Sequence, residues 1–128
     1  MAYANAPQQV STEAARLPIH EIVAFLRTHL GQRGTAYISG VSDAKMVSRW
    51  IAQHNAPREQ AQMRLREAFQ AAQLVVDAYG DETAKAWFFG SNMELDDQAP
   101  AYVLRYAKNW EDLRLVVPAA RAFAGSDD

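Results

Sequence analysis

The chain of 128 residues contains no cysteine. That excludes disulfides and thiolate metal centres and points to a reducing, cytoplasmic setting. Only three histidines occur, His20, His29 and His54, and their spacing puts no two at ligand distance on one helical face, so no metal is expected. No apolar stretch approaches the ~20 residues that span a bilayer, and no basic segment followed by an apolar run marks a secretion signal. Runs of alternating Val, Ile and Thr are missing, which disfavours sheet. There is no glycine-rich phosphate loop and no G-x-S-x-G context. The adjacent acids Asp96 and Asp97 read as a solvated pair, so neither an enzyme nor a cofactor is expected. The net charge of −2 excludes a generic nucleic-acid coat.

What remains is 49% hydrophobic content dominated by alanine, set among helix-forming Gln, Glu, Arg and Leu. This composition predicts an all-α protein with a buried core, either one domain or two small lobes sharing one. Charge is unevenly spread: eight cations stand against five anions before Leu74, and five against ten from Leu74 onward. A basic front and an acidic back suggest two surfaces with different partners. The chain divides into a flexible tail (1–16), a front lobe (17–56), a connecting helix (57–79) and a rear lobe ending in an acidic tail (80–128).

In the front lobe, Ile22, Phe25, Leu26 and Leu30 recur at helical spacing after Pro18, and Gly31 ends the run. A shorter helix over 32–39 offers Ala36, Tyr37 and Ile38 for packing. Gly40 and Val41 form a turn, and Ser42 or Asp43 caps a third helix from Ala44 to about His54. Val47 and Trp50 belong to its inner stripe, leaving Lys45, Met46, Ser48 and Arg49 facing outward. Two helices joined by a short glycine-containing turn have the form of a helix-turn-helix. Arg49 can take guanine O6 and N7 together, Lys45 gives a point charge, and Ser42 with the helix amides can hold a phosphate. Met46 and Ser48 complete the candidate DNA-contacting set. Asp43 opposes it, since its charge repels the DNA backbone. The turn is one residue longer than the usual frame, because Val47 rather than Met46 is the better core candidate.

Pro57 suits the first position of the long helix, whose stripe is Ala61, Leu65, Ala68, Phe69, Ala72, Val75, Val76 and Tyr79. Arg58, Arg64, Arg66 and Glu67 sit off that stripe. Gly80 ends the helix, and Asp81 is placed to cap the next, which runs to Phe89 with Ala84, Trp87 and Phe88 on one face. Gly90 to Asn92 break it, Leu95 pins the loop, and Pro100 opens a helix with Val103 and Leu104 inward. Asn109 caps a final helix carrying Leu113, Val116, Val117, Ala120 and Phe123. Pro118 conflicts with that helix and predicts a kink, or two short helices abutting at Val117.

Trp87, Asn92, Leu95, Pro100 and Leu104 form W-x4-N-x2-L-x4-P-x3-L. With Arg49-Trp50 upstream, this pattern resembles the toxin-binding domain of the Xre/MbcA/ParS-like antitoxins over roughly 81–123. The resemblance implies an antitoxin of a type II toxin–antitoxin pair. Its partner would be a RES-domain toxin that consumes NAD, and it would repress its own operon by binding operator DNA as a homodimer. It also implies that the C-terminal end, Phe123, Ala124, Gly125, Ser126, Asp127 and Asp128, lies over the toxin's active-site entrance, with Asn92 in the toxin-binding set. Exposed Phe89, Met93 or Tyr102 would supply a dimer seam. The alternatives are a stand-alone repressor whose rear half only dimerises, and a toxin inhibitor whose hairpin no longer binds DNA.

Overall fold

A computed structural model describes residues 17–125. The described chain is helical, with no strand. The helices are α1 (Ile19–Leu30), α2 (Gln32–Ser39), α3 (Lys45–Ile51), α4 (Glu59–Tyr79), α5 (Asp81–Phe89), α6 (Pro100–Tyr106), α7 (Trp110–Leu113) and α8 (Val116–Ala124), with a 3₁₀ turn at Met93–Leu95. The expected tail (1–16) and the last three residues lie outside the described part.

Glycine sets three boundaries. Gly31, Gly40 and Gly80 have φ of 88°, 100° and 89°, in the region that favours a residue without Cβ. Gly40 carries a second constraint. Its amide closes α2 on Ala36 O and Tyr37 O, and a Cβ there would lie 2.6 Å from Arg64 Nη1. Arg64 crosses this point to donate to Ser39 O at 3.1 Å and to Ala107 O at 3.1 Å. Gly40→Ala should therefore cost about 2–3 kcal/mol, read as a lower urea midpoint, through backbone strain and a displaced charged donor.

α4 is the spine. It packs most extensively against α8, then against α1, α5 and α2. The buried side chains from Ile22 to Ala120 form one continuous cluster. α1 touches α5, and α2 touches α6, so front and rear helices meet directly as well as through α4. The first turns differ from the expectation at two places. Pro57 is buried but precedes the helix, its carbonyl taking Gln62 Nε2 at 2.9 Å, and Arg58 is the N-cap. Asp81 makes no cap; its carboxylate meets His29 Nδ1 at 2.7 Å, joining the end of α1 to the start of α5.

Glu67 was expected off the buried stripe, yet it is 4% exposed. It accepts the amide of Val117, one of the free N–H groups at the start of α8, whose own N-cap, Leu115, offers no side-chain bond. Desolvation pushes the Glu67 carboxyl up to about 7, against the lowering effect of that hydrogen bond. The same place resolves Pro118. The chain breaks at Arg114 and Leu115 rather than at Val117, and Pro118 falls in the first turn of α8, where its missing amide has no helical acceptor to lose.

Candidate functional site

α3 places its side chains by burial. Val47 and Trp50 are 0% and 3% exposed, while Ser42, Lys45, Ser48 and Arg49 face solvent. Val47 is thus the inward residue, and the turn from Gly40 to Ala44 is the longer one expected from the sequence. Met46 is corrected: it is half-buried and packs against the core, so it does not belong to the outward set. α3 is also shorter than expected, ending at Ile51.

The start of α3 is already occupied. Asp43 Oδ1 accepts the Lys45 amide at 3.0 Å. Gln32 Nε2 donates to Ala44 O at 3.0 Å, and Ser48 Oγ donates to Gln32 Oε1 at 3.2 Å. Gln32 therefore clamps the start of α2 to α3. A phosphate held by Ser42 and the Lys45 amide would have to displace Asp43, whose charge repels it. Lys45 and Arg49 are different. Among the described residues neither has a carboxylate partner, so both cations face outward uncompensated.

The five spaced residues of the rear half do structural work. Trp87, Leu95 and Leu104 are 7%, 5% and 0% exposed and belong to one cluster. Pro100 is buried as the first residue of α6. Asn92 Oδ1 accepts the Glu94 amide at 2.8 Å and so caps the 3₁₀ turn. This scaffold holds out Met93, which is 87% exposed. Asn92 therefore shapes the loop through its cap, and the residue lines a cleft with Trp87, Met93 and Phe123.

Of the C-terminal set, Phe123 and Ala124 belong to α8 and Gly125 ends it, while Ser126, Asp127 and Asp128 lie outside the described residues. Phe123 is anchored. Its ring lies 5.1 Å from Tyr79 and 6.3 Å from Trp87, and its carbonyl accepts Tyr79 Oη–H at 3.3 Å. Removing Phe123 would cost packing, so a truncation that leaves the described packing intact starts at Ser126.

Two features were not foreseen. Arg64 and Arg105 are half-buried cations without a carboxylate partner among the described residues, and each donates to a carbonyl around the end of α2. Arg105 donates to Tyr37 O at 2.8 Å and Val41 O at 3.3 Å, and its guanidinium lies 4.7 Å from the Tyr37 ring centroid. Burial and the neighbouring Arg105 charge lower the Arg64 pKa, and burial raises that of Tyr37. The second feature is a cleft between α2, α5 and the start of α6, lined by Tyr37, Phe89 and Tyr102. Its residues are spread from Leu30 to Tyr102, a span no local pattern covers.

Among the described residues no group of His, Asp or Glu is placed to hold a metal ion, and no helix is long and apolar enough to cross a membrane. No family model, curated protein or solved structure matches the chain.

Proposed function

We propose that the chain is an antitoxin-type regulator: a binding protein that neutralises a RES-domain, NAD-consuming toxin and represses its own operon. The observation that carries this reading is that Trp87, Leu95 and Leu104 share the buried core, Pro100 is buried as the first residue of α6, and Asn92 caps the loop between them. A spaced pattern whose members all hold one loop and one helix end is a scaffold for presenting a surface. The surface it presents is Met93 and the α8 terminus, from which Ser126, Asp127 and Asp128 continue. In this reading residues 123–128 cover the toxin's pocket, and the two aspartates meet basic groups that otherwise receive the phosphates of NAD.

The DNA-binding half of the proposal rests on Lys45 and Arg49, exposed on one face of α3 and unpaired among the described residues. Arg49 reads a base, and Lys45 reads a base or phosphate. Lys45→Ala with Arg49→Ala should weaken operator binding by at least ~10-fold, since each base contact is worth ~1–3 kcal/mol. Wild-type affinity should fall steeply with salt. A gel-shift titration checks both; unchanged binding by the double variant would reduce the protein to a toxin inhibitor without DNA recognition.

The alternative is a stand-alone repressor whose rear half only dimerises. It is favoured by one specific observation, the exposure of Phe89 (44%), Tyr102 (45%) and Tyr106 (55%) on adjoining helices. Co-expression with the product of the adjacent reading frame, followed by sizing, separates the two. A stable mixed complex supports the antitoxin, and a homodimer that ignores the neighbour supports the repressor.

A further inference from the structure

We infer that the cleft between α2, α5 and the start of α6 is a binding site for a small aromatic anion, of the aromatic-carboxylate class. Its volume is about 720 Å³, within the ~300–1,000 Å³ of small-molecule sites. Three rings, Tyr37, Phe89 and Tyr102, line it. Each is packed against a neighbour, Tyr102 against Tyr106 at 4.6 Å between centroids. The Phe89 ring lies over Gly34, where a Cβ would come within 3.0 Å of it. Its edge meets Tyr37 at 6.3 Å between centroids, and Arg105 stacks on Tyr37 at 4.7 Å. Rings held this way offer faces and edges to a flat apolar group.

The charge at this cleft has one sign. Arg33 and Lys85 line it, and among the described residues no carboxylate does. Neither cation forms an ion pair within the described chain. On a protein of net charge −2, a cleft with two exposed cations and no acid is selective for an anion by electrostatic complementarity. Rings within the cleft and cations beside them define the ligand: planar, apolar and carrying one anionic group. The site is separate from the outer face of α3 and from the end of α8, and it does not depend on the toxin reading.

The test is calorimetric titration of the full chain with 2-naphthoate and with its neutral counterpart 2-naphthalenemethanol. Saturable one-site binding of the naphthoate is expected, at least ~10-fold tighter than the alcohol, the worth of a charge-assisted contact. Arg33→Gln with Lys85→Gln, both on exposed side chains, should abolish that preference while leaving the thermal melt unchanged. Ala99→Trp, which fills the cleft and keeps both cations, should remove binding of either compound. Equal affinity of the wild-type chain for the two compounds, a naphthoate preference that survives Arg33→Gln with Lys85→Gln, naphthoate binding that survives Ala99→Trp, or no binding at all would overturn the inference. So would loss of binding as the protein is concentrated, which would mean that a second copy covers this face.

Discussion

Replacing Glu67 by glutamine should stabilise the protein at pH 8 by about 3 kcal/mol and flatten its stability between pH 4.5 and 7. The carboxyl sits in the core, 4% exposed, and its folded-state pKa of about 7 stands above the ordinary 4.5. Below the lower value both folded and unfolded chains are protonated, and the group has no effect. Between the two values the folded chain holds a proton that the unfolded chain has released, so stability falls as pH rises. Above the upper value both are ionised and the full cost of a buried charge is present. Glutamine keeps an oxygen to accept the Val117 amide but carries no charge. Urea unfolding of both proteins at pH 5 and pH 8 checks this. Parallel pH profiles would mean that the carboxyl is hydrated in the folded protein.

Trp87→Ala should cost about 3–5 kcal/mol, enough to unfold much of a domain whose total stability is ~5–15 kcal/mol. The indole meets Phe88 edge-on at 4.9 Å and Phe123 at 6.3 Å, so its loss frees both the α5 core and the end of α8. Trp87→Phe should cost far less, below about 1.5 kcal/mol. The reason is specific: Trp87 Nε1 is buried without a hydrogen-bond partner among the described residues, so phenylalanine abandons no bond and removes an unsatisfied donor. Guanidinium melts of the two variants should differ by at least ~1.5 kcal/mol. If both fall equally, the indole nitrogen has a partner that the burial pattern does not reveal.

The sequence was most readable where glycine and period agree. Gly31 and Gly40 bracket α2, and Gly80 marks the start of α5, so Gln32–Ser39 and Asp81–Phe89 emerge with their observed bounds. Pro100 and Asn109 likewise announce their helices through local chemistry, the latter by accepting the Asp112 amide at 3.0 Å. What stayed hidden depends on distant partners. Glu67 looks like a solvated helix residue until α8, fifty positions on, brings an amide to it. Asp81 looks like a cap until His29 takes its carboxylate. Arg64 looks like a surface cation until Ser39 and Ala107 offer carbonyls. Helical spacing puts Met46 outward, but the core extends far enough to half-bury it.

The same reasoning separates the faces of the proposed site. The outward pair Lys45 and Arg49 could be read from sequence, because Val47 and Trp50 fix which side of α3 is inner. The aromatic cleft could not, because Tyr37, Phe89 and Tyr102 come from three helices, Tyr37 reading as a packing residue and Phe89 and Tyr102 as part of a dimer seam. The long helix is expected to join the front and rear halves and to contribute to the core of each; it packs against helices of both, and the buried side chains form one continuous cluster in which α1 and α2 also reach α5 and α6.

The most direct measurement is the NAD content of bacterial cells expressing the product of the adjacent reading frame, the proposed toxin, with and without this chain. The proposed function predicts that NAD is preserved by the wild-type chain, and by Lys45→Ala with Arg49→Ala, while a chain lacking Ser126, Asp127 and Asp128 lets it fall. NAD that collapses in the presence of the intact, folded chain would contradict it.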